Sequence, residues 1–85
     1  MIKLSRLLGW MCFHTHDSRR SEPGFPDLVL VKSGRPVIYA ELKTDTGKPT
    51  PAQRDWLDAL NKAEGTRAFL WRPADLEDIA AILGE

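Results

Sequence analysis

The stretch Phe25-Pro26-Asp27-Leu28-Val29-Leu30-Val31-Lys32-Ser33-Gly34-Arg35-Pro36-Val37-Ile38-Tyr39-Ala40-Glu41-Leu42-Lys43 decides the fold. Its two β-rich apolar runs, joined by a short polar connection containing Gly34, read as an antiparallel hairpin. With the turn centred near Ser33 to Arg35, Asp27 falls opposite the Glu41 to Lys43 end of the partner strand. Side chains alternate along a strand, so Glu41 and Lys43 share one face and Leu42 points to the other. Two carboxylates beside an amine suit the holding of a divalent cation next to a phosphodiester.

Upstream of the hairpin, residues 2–8 place Ile2, Leu4, Leu7 and Leu8 among Lys3, Ser5 and Arg6, the pattern of an amphipathic helix stopped by Gly9. Trp10 to Thr15 reads as a strand. Residues 16–26 form a long polar loop broken by Pro23, Gly24 and Pro26, and a loop of that length in a small domain is often functional. Downstream, Thr50 is a helix N-cap with Pro51 at the first helical position. That helix runs to about Glu64, with Ala52, Trp56, Ala59, Leu60 and Ala63 at helical spacing and Gly65 closing it. Thr66 to Trp71 makes a further strand. Pro73 and the cap-like Asp75 introduce a last helix striped by Leu76, Ile79, Ala80 and Leu83.

The order is helix, strand, strand, strand, helix, strand, helix. The strand after the middle helix is expected to return beside an earlier one by a right-handed crossover, giving an α/β fold with a central mixed sheet flanked by helices.

The 85 residues are read as a single domain spanning 1–85. Hydrophobic content of 42% with 28% charged residues fits a folded protein rather than a disordered tail. No apolar run approaches the roughly 20 residues of a membrane span, and the first residues lack a signal-peptide pattern, so a cytoplasmic, non-secreted protein is expected. The lone Cys12 cannot form an internal disulfide and reads as core filler. Net charge is zero, but residues 1–43 carry seven Lys/Arg against four Asp/Glu and residues 44–85 carry five against eight. The basic half includes Arg19-Arg20 just ahead of the hairpin, a local positive patch of the kind phosphate binding needs.

Hydrolysis of a phosphodiester needs charge neutralisation, an activated water and help for the leaving oxygen, and a divalent metal supplies much of this. Magnesium takes oxygen ligands and keeps several waters, so one or two carboxylates seat it. Asp27 and Glu41 are the candidate ligands, with the Leu42 backbone carbonyl as a third. Lys43 would orient or help deprotonate the attacking water and stabilise negative charge on the phosphate. Gln53, in the first turn of the middle helix on the stripe of Trp56, Leu57 and Leu60, is a polar side chain that needs a partner; a phosphate or a metal-held water would serve. His14 and His16 alone make a poor zinc site without cysteine partners.

With Gly24-Phe25-Pro26-Asp27, Glu41-Leu42-Lys43 and Thr50-Pro51-Ala52-Gln53 assembled, the chain resembles the VRR-NUC (virus-type replication-repair nuclease) family of the PD-(D/E)xK superfamily. The resemblance spans nearly the whole chain, from Gly9-Trp10 to Trp71-Arg72-Pro73-Ala74-Asp75. It implies a restriction-endonuclease-like core in which Asp27 and Glu41 bind Mg²⁺ or Mn²⁺ and Lys43 and Gln53 complete the active site. It further implies a homodimeric, structure-selective DNA endonuclease acting on branched DNA, a Holliday junction or a flap, in a bacterial or phage-infected host cell. DNA contacts are expected from His14, Ser18, Arg19 and Arg20, which flank the metal site.

One departure from the family stands out: its usual glutamate on the N-terminal helix has no counterpart, since no acid precedes Asp17. That bears on a second metal and on full activity, and it keeps open a second reading, a DNA-binding module of the same fold that cuts weakly or not at all. A third reading makes Glu41 and Lys43 a surface ion pair on a purely structural domain, worth only about 0–1 kcal/mol.

Overall fold

The computed structural model describes residues 2–15 and 22–85. Helix α1 (Ile2–Leu7) leads into strand β1 (Met11–His14), and β2 (Leu28–Val31) and β3 (Val37–Leu42) form the hairpin. Helix α2 (Pro51–Lys62), strand β4 (Thr66–Trp71), a 3₁₀ turn (Pro73–Asp75) and helix α3 (Leu76–Leu83) follow. The sheet order is β1-β2-β3-β4. Neighbours are antiparallel except for β3 and β4, which are parallel and joined through α2. This is the mixed sheet the element order implies.

Alternation along the strands sorts the two faces. Leu28, Leu30, Ile38, Ala40 and Trp71 pack with Trp10, Ile79 and Leu83 into the core, backed by Ile2, Leu4, Leu8, Cys12, Leu42 and Phe69. This face lies under α1 and α3. The opposite face carries Tyr39, Glu41 and Ala68, and α2 lies over it. α1 ends as its glycine implies: Gly9 sits at φ 91°, and the Trp10 and Gly9 amides donate to the Ser5 and Arg6 carbonyls, satisfying groups the helix end leaves open. The buried Trp10 indole then donates to the Leu83 carbonyl at 2.9 Å, tying the chain's first turn to its last helix. Cys12 is half-buried against this core.

Several elements are shorter than their sequence pattern. β2 begins at Leu28, so Asp27 stands immediately before the strand rather than inside it. β1 covers Met11–His14 only. α2 ends at Lys62, not Glu64, with Ala63 extended at φ −76° and ψ 146°. The cause lies in the turn. Asn61 both donates to the Ala68 carbonyl and accepts from the Ala68 amide, and the Thr66 hydroxyl donates to the Leu60 carbonyl. These bonds draw the chain onto β4 before the helical pattern runs out. Ala59 within the helix and Ala63 just beyond it are exposed, and α2 buries no residue fully. The last helix also departs from its stripe. The helix starts at Leu76, straight after the 3₁₀ turn, and there Leu76 is 53% exposed while Ile79 and Leu83 fill the core. Asp75 accepts from the Arg72 amide at 2.9 Å and makes no side-chain cap on α3.

Candidate active site

The hairpin register pairs Leu28 with Ala40, and one step further brings Asp27 beside Glu41. The Asp27 carboxylate is fixed there because its Oδ2 accepts from the Leu42 amide at 2.9 Å. The Leu42 group that meets Asp27 is thus its N–H, and one Asp27 oxygen remains for another partner. Lys43 continues β3, its amide donating to the Trp71 carbonyl at 3.0 Å.

Three contacts hold the approach to Asp27 against α2. Gly24 adopts φ +86°, and a Cβ there would lie 2.5 Å from the Ala52 carbonyl carbon and 2.7 Å from the Gln53 nitrogen. Only glycine lets the loop come this close. The Trp56 indole donates to the Pro23 carbonyl at 3.2 Å. Phe25 sets its ring edge-on to both Trp56 and Tyr39, with centroids 5.1 and 6.1 Å apart.

Gln53 closes the arrangement from the helix side. Its backbone amide donates to the Thr50 hydroxyl at 3.2 Å and its Oε1 accepts from the Thr50 amide at 2.8 Å, a complete capping box. The remaining end of the same amide, Nε2, donates to Glu41 Oε1 at 3.0 Å. One side chain therefore caps α2 and grips the buried carboxylate. The sequence reading gave Gln53 a phosphate or water as partner; its partners here are Glu41 and Thr50. The Thr50-x-x-Gln53 spacing is the signal that announces a capping box, and the helix phase alone does not tell that Gln53 reaches across to β3. The clamps by Trp56 and Gly24 have no comparable signal, because they depend on how the loop meets the helix.

Glu41 is 3% exposed, and its Oε2 is buried without a donor. A surface ion pair with Lys43 is therefore not what these residues form. Burial, then the hydrogen bond and negative charge of Asp27, push the Glu41 pKa up from 4.5 to about 7, against a lowering by Lys43. When protonated, Glu41 shares its proton with Asp27. When ionised, the pair places two negative groups together with one oxygen wholly unsatisfied. Burying such a group is costly unless a cation or donor meets it. The donor set is oxygen-rich and suits a hard divalent cation that keeps several waters. Among the described residues no group of three or more His, Cys, Asp or Glu is assembled for a metal.

The remaining site candidates are placed as follows. His14 is half-buried at the end of β1, opposite Leu28 and hence near Asp27. Ser18, Arg19 and Arg20 lie outside the described residues, as does His16.

The fold is an α/β one, a mixed four-stranded sheet flanked by helices, with two acids paired at one end. The sequence profile of the VRR-NUC domain matches residues 3–72. The chain belongs to the VRR-NUC domain family, a family of nucleases. A solved structure described as a VRR_NUC domain protein superposes with a TM-score of 0.63 at 22% identity, covering 85% of this chain. This chain spans 63% of that structure's length, and the likeness is one of fold. A comparison with curated proteins finds no match. No helix among the described residues is long and apolar enough to cross a membrane.

Proposed function

We propose that the chain is a Mg²⁺- or Mn²⁺-dependent DNA endonuclease, selective for branched DNA such as a Holliday junction or flap. The observation that carries the reading is the buried, donorless Glu41 Oε2 beside Asp27. Asp27, through the oxygen not used by Leu42, and Glu41 hold the cation, with the Leu42 carbonyl as a further ligand. A bound divalent ion supplies Lewis-acid polarisation of the phosphate and lowers the pKa of a nearby water. Gln53 fixes Glu41 in the orientation that receives the cation. Lys43, on the strand face of Glu41, orients the attacking water and stabilises charge building on the phosphate. Its part is electrostatic, a positive group set against the negative charge that builds on the phosphate. Because Glu41 is neutral below about 7, cleavage at limiting metal rises as pH passes through that value.

His14, Ser18, Arg19 and Arg20 belong to the same proposal as contacts to the DNA backbone. So does a homodimer, whose two active sites would serve opposing strands of a junction. What supports the dimer is β1, an edge strand of the sheet with neither lysine nor proline to blunt it. It presents Met11 and Phe13, 75% and 64% exposed, next to Val31 at 42%.

The test incubates the protein with supercoiled plasmid and a synthetic four-way junction in Mg²⁺, Mn²⁺ or EDTA. Cleavage that needs metal and is lost in Lys43→Ala supports the reading. Junction binding without cleavage, indifferent to metal, replaces it with the non-cutting DNA-binding module, the reading favoured by the lack of an acid on α1.

A further inference from the structure

At the C-terminal ends of the parallel strands β3 and β4 the sheet carries an open cavity of about 430 Å³, lined by Ile2, Lys3, Leu42, Lys43, Trp71 and Pro73. Its volume falls within the roughly 300–1,000 Å³ of pockets that take a small organic molecule. The walls are of two kinds. Ile2, Leu42, Trp71 and Pro73 supply an aliphatic and aromatic lining, and the two charged residues are both lysines, with no carboxylate among the lining. Such a cavity fits a flat apolar group that carries negative charge at its edge. Lys43 lines the cavity and follows directly on the end of β3, two residues beyond Glu41. The cavity therefore adjoins the place where the cleaved phosphate would sit.

A nucleotide has the required chemistry: a flat heterocycle for the apolar lining and phosphates for the two ammonium groups. A base stacked within a duplex cannot enter, because it is held between its neighbours and must first leave the stack. We propose that this cavity receives the unpaired base of a nucleotide next to the scissile phosphate, with Lys3 and Lys43 on the phosphates that flank it. The inference rests on the nuclease reading and deepens it. The domain selects strands that have an unstacked nucleotide at the cut, and so prefers junctions and flaps over continuous duplex by recognition inside its own fold. Base stacking on apolar and aromatic side chains is tolerant of sequence, so little base preference accompanies the selection.

The experiment uses the full chain with Mn²⁺ and a flap substrate of fixed sequence. In a matched series, each nucleotide flanking the cut is replaced in turn by an abasic residue. Loss of a stacked base is expected to lower kcat/KM by roughly 5- to 150-fold at one position and little at the others. In Ile2→Asp, which puts a carboxylate on the cavity wall, the ratio of kcat/KM between base-bearing and abasic strands falls towards one. Lys3→Ala, which removes one of the two ammonium groups without adding a buried charge, raises KM for the base-bearing strand. Equal cleavage of every abasic strand by the wild-type protein overturns the inference and leaves the nuclease reading standing. Failure to cleave any substrate with metal present overturns both.

Discussion

Glu41 carries a burial cost that only a proton or a cation relieves, and this makes the site sensitive to pH. An unfolded chain releases that proton near 4.5, whereas the folded chain keeps it to about 7. Between those values the folded state binds more protons than the unfolded one. The contribution is therefore full below the unfolded value and is lost as pH rises through the folded one. In EDTA, the wild-type protein is predicted to lose stability between pH 5 and 7.5 relative to Glu41→Gln, by an amount on the order of 2 kcal/mol. Urea unfolding at both pH values measures this, and parallel responses of the two proteins would contradict it. Gln53 is the second residue with a double duty. Replacing it by alanine removes half of a capping box, at about 1 kcal/mol of stability. It also frees Glu41 Oε1, which is predicted to weaken Mn²⁺ binding by roughly 10- to 100-fold, as loss of a partner that orients a ligand does. Calorimetric titration with Mn²⁺ reads the second effect separately from the first, and an unchanged affinity would show that Gln53 serves the helix alone.

At the scale of elements, the loop before β2 and the first turn of α2 act as one unit. Gly24 makes this visible, since a side chain there meets Ala52 and Gln53 backbone at 2.5–2.7 Å. Gly24→Ala is predicted to cost on the order of 1–3 kcal/mol and to weaken Mn²⁺ binding, because the loop that delivers Asp27 must lift away from α2. Gly34→Ala supplies the contrast. It shares a positive φ, at +80°, but nothing lies within 4 Å of the added carbon. It is predicted to lose about 1 kcal/mol from backbone strain with metal affinity intact. Thermal melts beside Mn²⁺ titrations distinguish the two variants; equal metal affinities would break the link between loop and site. The hairpin was the most legible element, because period-two alternation and a short connection bring Asp27 to the Glu41 to Lys43 end of the partner strand, and the register then sets it beside Glu41. Helix ends were less so. Nothing in the pattern of α2 tells that Asn61 will bind Ala68 from both ends of its amide, or that the chain turns back two residues early. Leu76 fits the helical stripe of α3, yet at the first position of that helix its side chain is exposed. The burial of Glu41 was equally hidden, since it arises where α2, the Gly24 loop and β3 meet, and a strand pattern alone makes Glu-Leu-Lys a solvated face.

Across the whole molecule, the sheet is covered unevenly. Helices α1 and α3 pack the core face, while α2 lies over β3 and β4 and leaves Met11, Phe13 and Val31 exposed at the β1 side. An apolar strip on an edge strand invites pairing with another chain. Phe13→Lys is predicted to shift the protein from dimer to monomer mass in sedimentation while its melting temperature stays within a few degrees of the monomer's own value, because the ring is 64% exposed and supports little of the core. A wild-type protein that sediments as a monomer at high concentration would refute the β1 dimer without touching the site.

The most direct test of the acidic centre is anomalous diffraction from crystals grown with Mn²⁺ at pH 8, where Glu41 is ionised. A peak coordinated by both Asp27 and Glu41, absent from Glu41→Gln crystals, is the result predicted. A fully ordered pair of carboxylates with no manganese between them at saturating metal would contradict the account.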